Sequence, residues 1–100
     1  MIYITQLIYI IEGQEKVFLE FEDVAMPIIA RYSGQLLLRI RPVAESIIDK
    51  KIDSPYEVHL VSFEREEDFE AFIRDEERKQ FLHLKERSIK ASVLIKGTRL

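Results

Sequence analysis

The opening stretch Ile2–Ile11 constrains this chain more than any other segment. It is rich in β-branched and aromatic residues, and apolar side chains fill both of its alternating sets. Ile2, Ile4, Ile8 and Ile10 lie on one set, and Tyr3, Leu7, Tyr9 and Ile11 on the other. Successive strand residues point to opposite faces, so such a strand needs cover on both sides. The stretch is too short to span a bilayer as a helix, and it lacks the basic flank and small-residue cleavage site of a signal peptide.

Glu12-Gly13-Gln14 breaks the run. From Glu15 onward Val17, Phe21, Val24, Ile28 and Tyr32 recur at three- and four-residue spacing, which predicts an amphipathic first helix reaching about Tyr32. Pro27 lies inside that stripe and predicts a kink or break near Ala25 or Met26. Gly34 suits the left-handed position that ends a helix. Leu36–Ile40 reads as a second strand at a sheet edge, with Val43–Ile48 prolonging it beyond Pro42. The polar run Asp49–Pro55 is a turn or loop, and Tyr56–Phe63 resumes as a third strand in a hairpin with the second.

Glu66–Ile73 carries Phe69, Phe72 and Ile73 on one side and acids at its start, where they favour the helix dipole. A further helical piece holds Phe81, Leu82, Leu84, Lys85 and Ile89 beyond a bend near Asp75, and Ala91–Lys96 is the last strand. The order strand, helix, strand, strand, helix, strand defines an α+β, ferredoxin-like βαββαβ domain over residues 1–100. It implies a four-stranded antiparallel sheet. Right-handed crossovers put both helices on one face of that sheet. The other face is left bare although the first strand is apolar on both sides. A second copy packed sheet to sheet is the simplest cover, since two-fold homodimers are the commonest assembly.

Composition fits this picture. At 100 residues, 47% hydrophobic and 33% charged, the chain has enough apolar surface for one core and enough charge for solubility. With 15 basic and 18 acidic residues the formal charge is -3, so the basic footprint of a nucleic-acid binder is missing. The mixed charges of Glu64–Asp68 and Arg74–Lys79 read as solvated helix faces. Cysteine is absent, which removes disulfides and thiolate sites and makes the cytoplasm the expected compartment.

One segment carries a family resemblance: Met26-Pro27-Ile28-Ile29-Ala30-Arg31-Tyr32-Ser33-Gly34, followed by Gln35-Leu36-Leu37-Leu38-Arg39. It resembles the dimeric α+β barrel superfamily, and within it the small domains of unknown function whose first helix ends in proline, an apolar pair, a basic residue, tyrosine and glycine. The resemblance implies a ferredoxin-like subunit, a homodimer joined by its sheets, and a small cavity between sheet and helices. It implies no activity. Relatives of that architecture include cofactor-independent monooxygenases, haem-degrading enzymes, decarboxylases and muconolactone isomerases, so the fold leaves function open.

No phosphate-binding glycine loop, metal-binding histidine motif or nucleophile elbow is present, so neither a cofactor nor a metal is expected. The residues that remain are Glu57 and His59 on the third strand, Arg39 and Arg41 on the second, and Arg31 and Tyr32 closing the first helix. Glu57 and His59 share a strand face, as do Arg39 and Arg41. If the hairpin register joins those faces, His59 could serve as a general base while Arg39 or Arg41 holds a carboxylate or enolate oxygen. The same residues suit a structural ion-pair network across the hairpin and dimer interface, and that role is the commoner one for such clusters. His83 is expected to face solvent, and Tyr32 to pack the helix end.

Two functions remain. The first is a homodimeric domain that binds a small apolar or carboxylate-bearing ligand between helices and sheet. The second is a cofactor-independent monooxygenase or isomerase acting on a small aromatic or lactone substrate. The shortage of acid, base and metal groups favours the first. DNA regulation is disfavoured by the acidic balance and by the lack of a helix-turn-helix.

Overall fold

The computed structural model describes residues 1–100. Strand β1 spans Ile2–Ile10, helix α1 Glu15–Ile29, strand β2 Gly34–Ile40 and strand β3 Glu57–Phe63. Helices α2 (Glu66–Ile73), α3 (Glu76–Gln80) and α4 (Leu82–Ser88) follow, and strand β4 runs Ile89–Gly97. The sheet order is β2-β3-β1-β4, with every neighbouring pair antiparallel. This is the expected βαββαβ ferredoxin-like arrangement, with β2 at an edge and β1 inside.

The helices pack on one face. Ile4 and Ile8 of β1 and Val61 and Phe63 of β3 are buried beneath α1 and α2, together with Ile29 and Phe69. A second cluster joins Phe21 and Ala25 of α1 to Leu84 of α4. The opposite face is open: Leu38, Ile40, Val93 and Ile95 are 44–52% exposed. The shortest extent of the backbone, 16 Å, matches one sheet and one helical layer. No helix is long and apolar enough to cross a membrane.

Several local expectations are corrected. Pro27 does not break α1, which continues to Ile29 and then tightens into a 3-10 turn over Ala30–Tyr32. A helix interrupted by proline survives when packing holds it, and Ala25, Ile28 and Ile29 on either side are all buried. The left-handed residue at the helix end is Ser33 (φ 57°) rather than Gly34. Gly34 is required for space instead. A Cβ there would lie 2.6 Å from Ile29 Cγ2, 2.6 Å from Phe63 Cε1 and 2.8 Å from the Ile29 carbonyl oxygen.

β2 is not prolonged by Val43–Ile48, because Ala44–Ser46 coils into a 3-10 turn after Pro42. Ile89 begins β4 rather than ending a helix. The Arg74–Lys79 run is not wholly solvated, since Asp75 and Arg78 are buried. Asp75 caps α3 by accepting from the Arg78 backbone N–H at 2.9 Å and also accepts from the Tyr32 hydroxyl, while the Arg78 guanidinium lies over the Phe72 and Phe21 rings.

Candidate functional site

The register of the β2–β3 hairpin brings the predicted polar residues together. Arg39 pairs opposite His59, and the pairing shifts between Leu36 and Leu38, so that Leu37 is an extra residue in β2. Leu36 lies opposite Val61 and faces the helices, whereas Leu38 lies opposite Leu60 and faces away. The extra residue restores Arg39 to the helix side.

There Glu57 is fully buried and holds both arginines. Arg39 Nε donates to its Oε2 at 3.0 Å, and Arg41 Nε to its Oε1 at 2.9 Å. The His59 ring nitrogen Nε2 lies 2.5 Å from Glu57 Oε2. Arg41 also stacks over the Tyr56 ring, 5.1 Å from its centre. Tyr32 stands apart from this cluster: its hydroxyl donates to Asp75 Oδ2 at 2.6 Å while its ring packs edge-on against Phe72. Arg31 reaches Glu77 at the surface, and His83 is exposed beside Phe81.

Glu22 completes the cluster, and no sequence argument anticipated it. It projects from α1, where Phe18, Phe21, Ala25, Ile28 and Ile29 form the buried face, and it is itself only 4% exposed. The stripe drawn through Val17, Phe21, Val24 and Tyr32 is rotated from the true one. A stripe through Phe18 and Ala25 would have shown Glu22 as the single acid within it.

Glu22 Oε1 lies 3.1 Å from His59 Nε2 and 3.4 Å from an Arg39 terminal nitrogen, yet it accepts no well-aligned hydrogen bond. Burial pushes its carboxyl up to about 7, despite the lowering pull of His59. Burial would also raise Glu57, but the groups hydrogen-bonded to it, Glu22, His59, Arg41 and Arg39, outweigh that and hold it at about 2. His59 is raised because the two carboxylates outweigh its burial. Glu57 is thus the fixed anion, and Glu22 and His59 share protons beside it.

The ligand atoms of Glu22, Glu57 and His59 all lie within 4.8 Å of one another, a spacing a metal ion could use. Both Glu57 oxygens already receive guanidinium donors, however, and two arginine charges balance the two carboxylates. The donor set therefore fits a proton-sharing ion network better than a divalent cation.

Glu22 and His59 also form part of the wall of a cavity of about 150 Å³ between sheet and helices. Phe18, Phe21, Phe63, Phe69 and Phe72 supply much of its apolar lining. Gln6, Arg78, Lys85 and Ser92 are its other polar groups. Arg39 and Arg41 do not line it; they lie on the outer side of Glu57.

Solved structures share this architecture. A protein of unknown function from Rhodopseudomonas palustris superposes with a TM-score of 0.82 at 14% identity, covering 99% of this chain and 82% of that one. An uncharacterised NIPSNAP domain protein from Burkholderia xenovorans gives 0.71 at 13% identity, covering 100% and 95%. A dabb family protein with a ferredoxin-like fold from Mesorhizobium loti gives 0.71 at 14% identity, covering 99% and 96%. No protein-family model matches the sequence, and no curated protein matches it. At these identities the likeness establishes the ferredoxin-like α+β fold, shared with NIPSNAP and dabb proteins.

Proposed function

We propose that residues 1–100 form one cytoplasmic domain, that it pairs into a homodimer through its open sheet face, and that it binds a small ring-sized molecule in its internal cavity. The carrying observation is that cavity, about 150 Å³ with mainly apolar walls and a few converging polar groups. A cavity of this size admits one benzene-sized ring. The aromatic walls supply contact area, and Glu22 and His59 supply a polar end where a hydroxyl or carbonyl of the ligand would find a donor or acceptor.

Binding is favoured over an enzymatic role on a lactone or aromatic substrate by the placement of Arg39 and Arg41. Both are engaged by Glu57, away from the cavity, so neither is free to hold an enolate oxygen there. The -3 charge argues against nucleic acid as a partner.

Calorimetric titration with benzyl alcohol and phenol tests this reading. Both should bind one per subunit. Ala25→Met, which extends a side chain from α1 into the cavity, should abolish that binding while the protein still melts cooperatively. If no single-ring compound binds the unmodified protein, the reading fails.

A further inference from the structure

Arg78 is a buried cation without an anionic side-chain partner. It is 8% exposed, and its guanidinium is sandwiched by aromatic rings, 5.3 Å from the centre of Phe72 and 5.9 Å from that of Phe21. Its side chain makes one hydrogen bond, from a terminal nitrogen to the Ile73 carbonyl at 3.2 Å, and the buried Nε has no partner. Asp75, the acid nearest in sequence, is committed elsewhere. Its oxygens accept from the Arg78 backbone N–H and the Tyr32 hydroxyl, and they make no ion pair with the guanidinium.

A second cation, Lys85 of α4, lines the same cavity and also lacks an ion pair. Burial lowers the pKa of both groups, and Lys85 is lowered further by the charge of Arg78. Asp75 and Glu86 act on these cations only as nearby charges, without an ion pair, so two like charges at one apolar cavity gain from a further anion inside it. The acid on the opposite wall does not supply it, because Glu22 answers to His59 and Glu57.

We infer that the cavity ligand is a carboxylate, a ring-sized monocarboxylic acid whose anionic oxygens are received by Arg78, with Lys85 adding charge. The inference rests on the cavity reading above and names its ligand class. A guanidinium fork matches a carboxylate in two parallel hydrogen bonds, and the unused Nε is one of the donors such a fork presents. The ring of the acid then packs against the phenylalanines that line the cavity.

The probes are benzoate and its neutral counterpart benzyl alcohol, titrated calorimetrically into the full chain at pH 7.5. Benzoate is expected to bind at least tenfold more tightly than benzyl alcohol. Arg78→Met should remove that preference, benzoate losing at least tenfold more affinity than benzyl alcohol does, and Arg78→Lys should keep part of it. Should Arg78→Met not fold, Lys85→Met and the two probes on the unmodified protein carry the test, with a smaller loss of benzoate affinity expected. Equal affinity for the two probes, or a benzoate preference untouched by both substitutions, overturns the carboxylate assignment and leaves the cavity reading standing. Failure of both probes to bind overturns the two together.

Discussion

Glu22 shows how one buried acid sets the pH response of a small domain. Its carboxyl is pushed from 4.5 in the unfolded chain to about 7 in the folded one, so the folded state holds a proton that the unfolded state releases. Stability therefore falls as pH rises from about 4.5 to 7 and stays reduced above that. His59, raised above 6.5, acts in the same direction and loses its contribution as pH climbs past its folded value. Glu57 acts oppositely, but its depressed pKa matters only in acid, below 4.5 and down toward 2. Glu22→Gln should consequently flatten the decline between pH 5 and 8. The variant should be the more stable at pH 8, by roughly 3 to 4 kcal/mol at about 1.4 kcal/mol per pKa unit. Urea melts at the two pH values measure this, and an unchanged slope would show that Glu22 is already ionised when the protein is folded.

At the scale of elements, the strands and the hairpin were legible because their signals are local: alternation, β-branched density and prolines at the breaks. The rotation of α1 was not, because Val17 and Val24 make a stripe as apolar as the one actually buried, and only contact with the sheet decides between them. Glu57, His59, Arg39 and Arg41 could be named from their strands, yet their meeting depends on register, which sequence leaves open. Arg78 was hidden in a charged run whose neighbours are solvated. The left-handed strain expected at Gly34 sits on Ser33, and Gly34 answers to crowding instead. Gly34→Ala should therefore cost about 2 kcal/mol through the clash with the Ile29 carbonyl and the Phe63 ring, rather than being harmless as at an ordinary strand start. Thermal denaturation of that single variant decides it, and an unchanged melting temperature would mean that α1 and β3 move apart easily.

For the whole molecule, the open face of the sheet is the dominant feature, because Leu38, Ile40, Val93 and Ile95 would otherwise stand in water as one apolar patch. The proposed homodimer covers it. Sedimentation at micromolar concentration should give twice the chain mass of 11.9 kDa, and Leu38→Asp together with Ile95→Asp should give the chain mass alone. A wild-type chain that sediments as a monomer would refute the sheet-to-sheet pairing.

The extra residue at Leu37 links that outer surface to the inner one. Removing one of the identical Leu36, Leu37 and Leu38 would take out only the bulge and leave Arg39 and Arg41 turned toward Glu57, because the remaining residues then alternate without interruption. Removing a second would turn every later side chain of β2 over, sending Arg39 out onto the apolar face and leaving a buried acid short of its counterion. In β2, the loss of one codon should be tolerated and the loss of two should not.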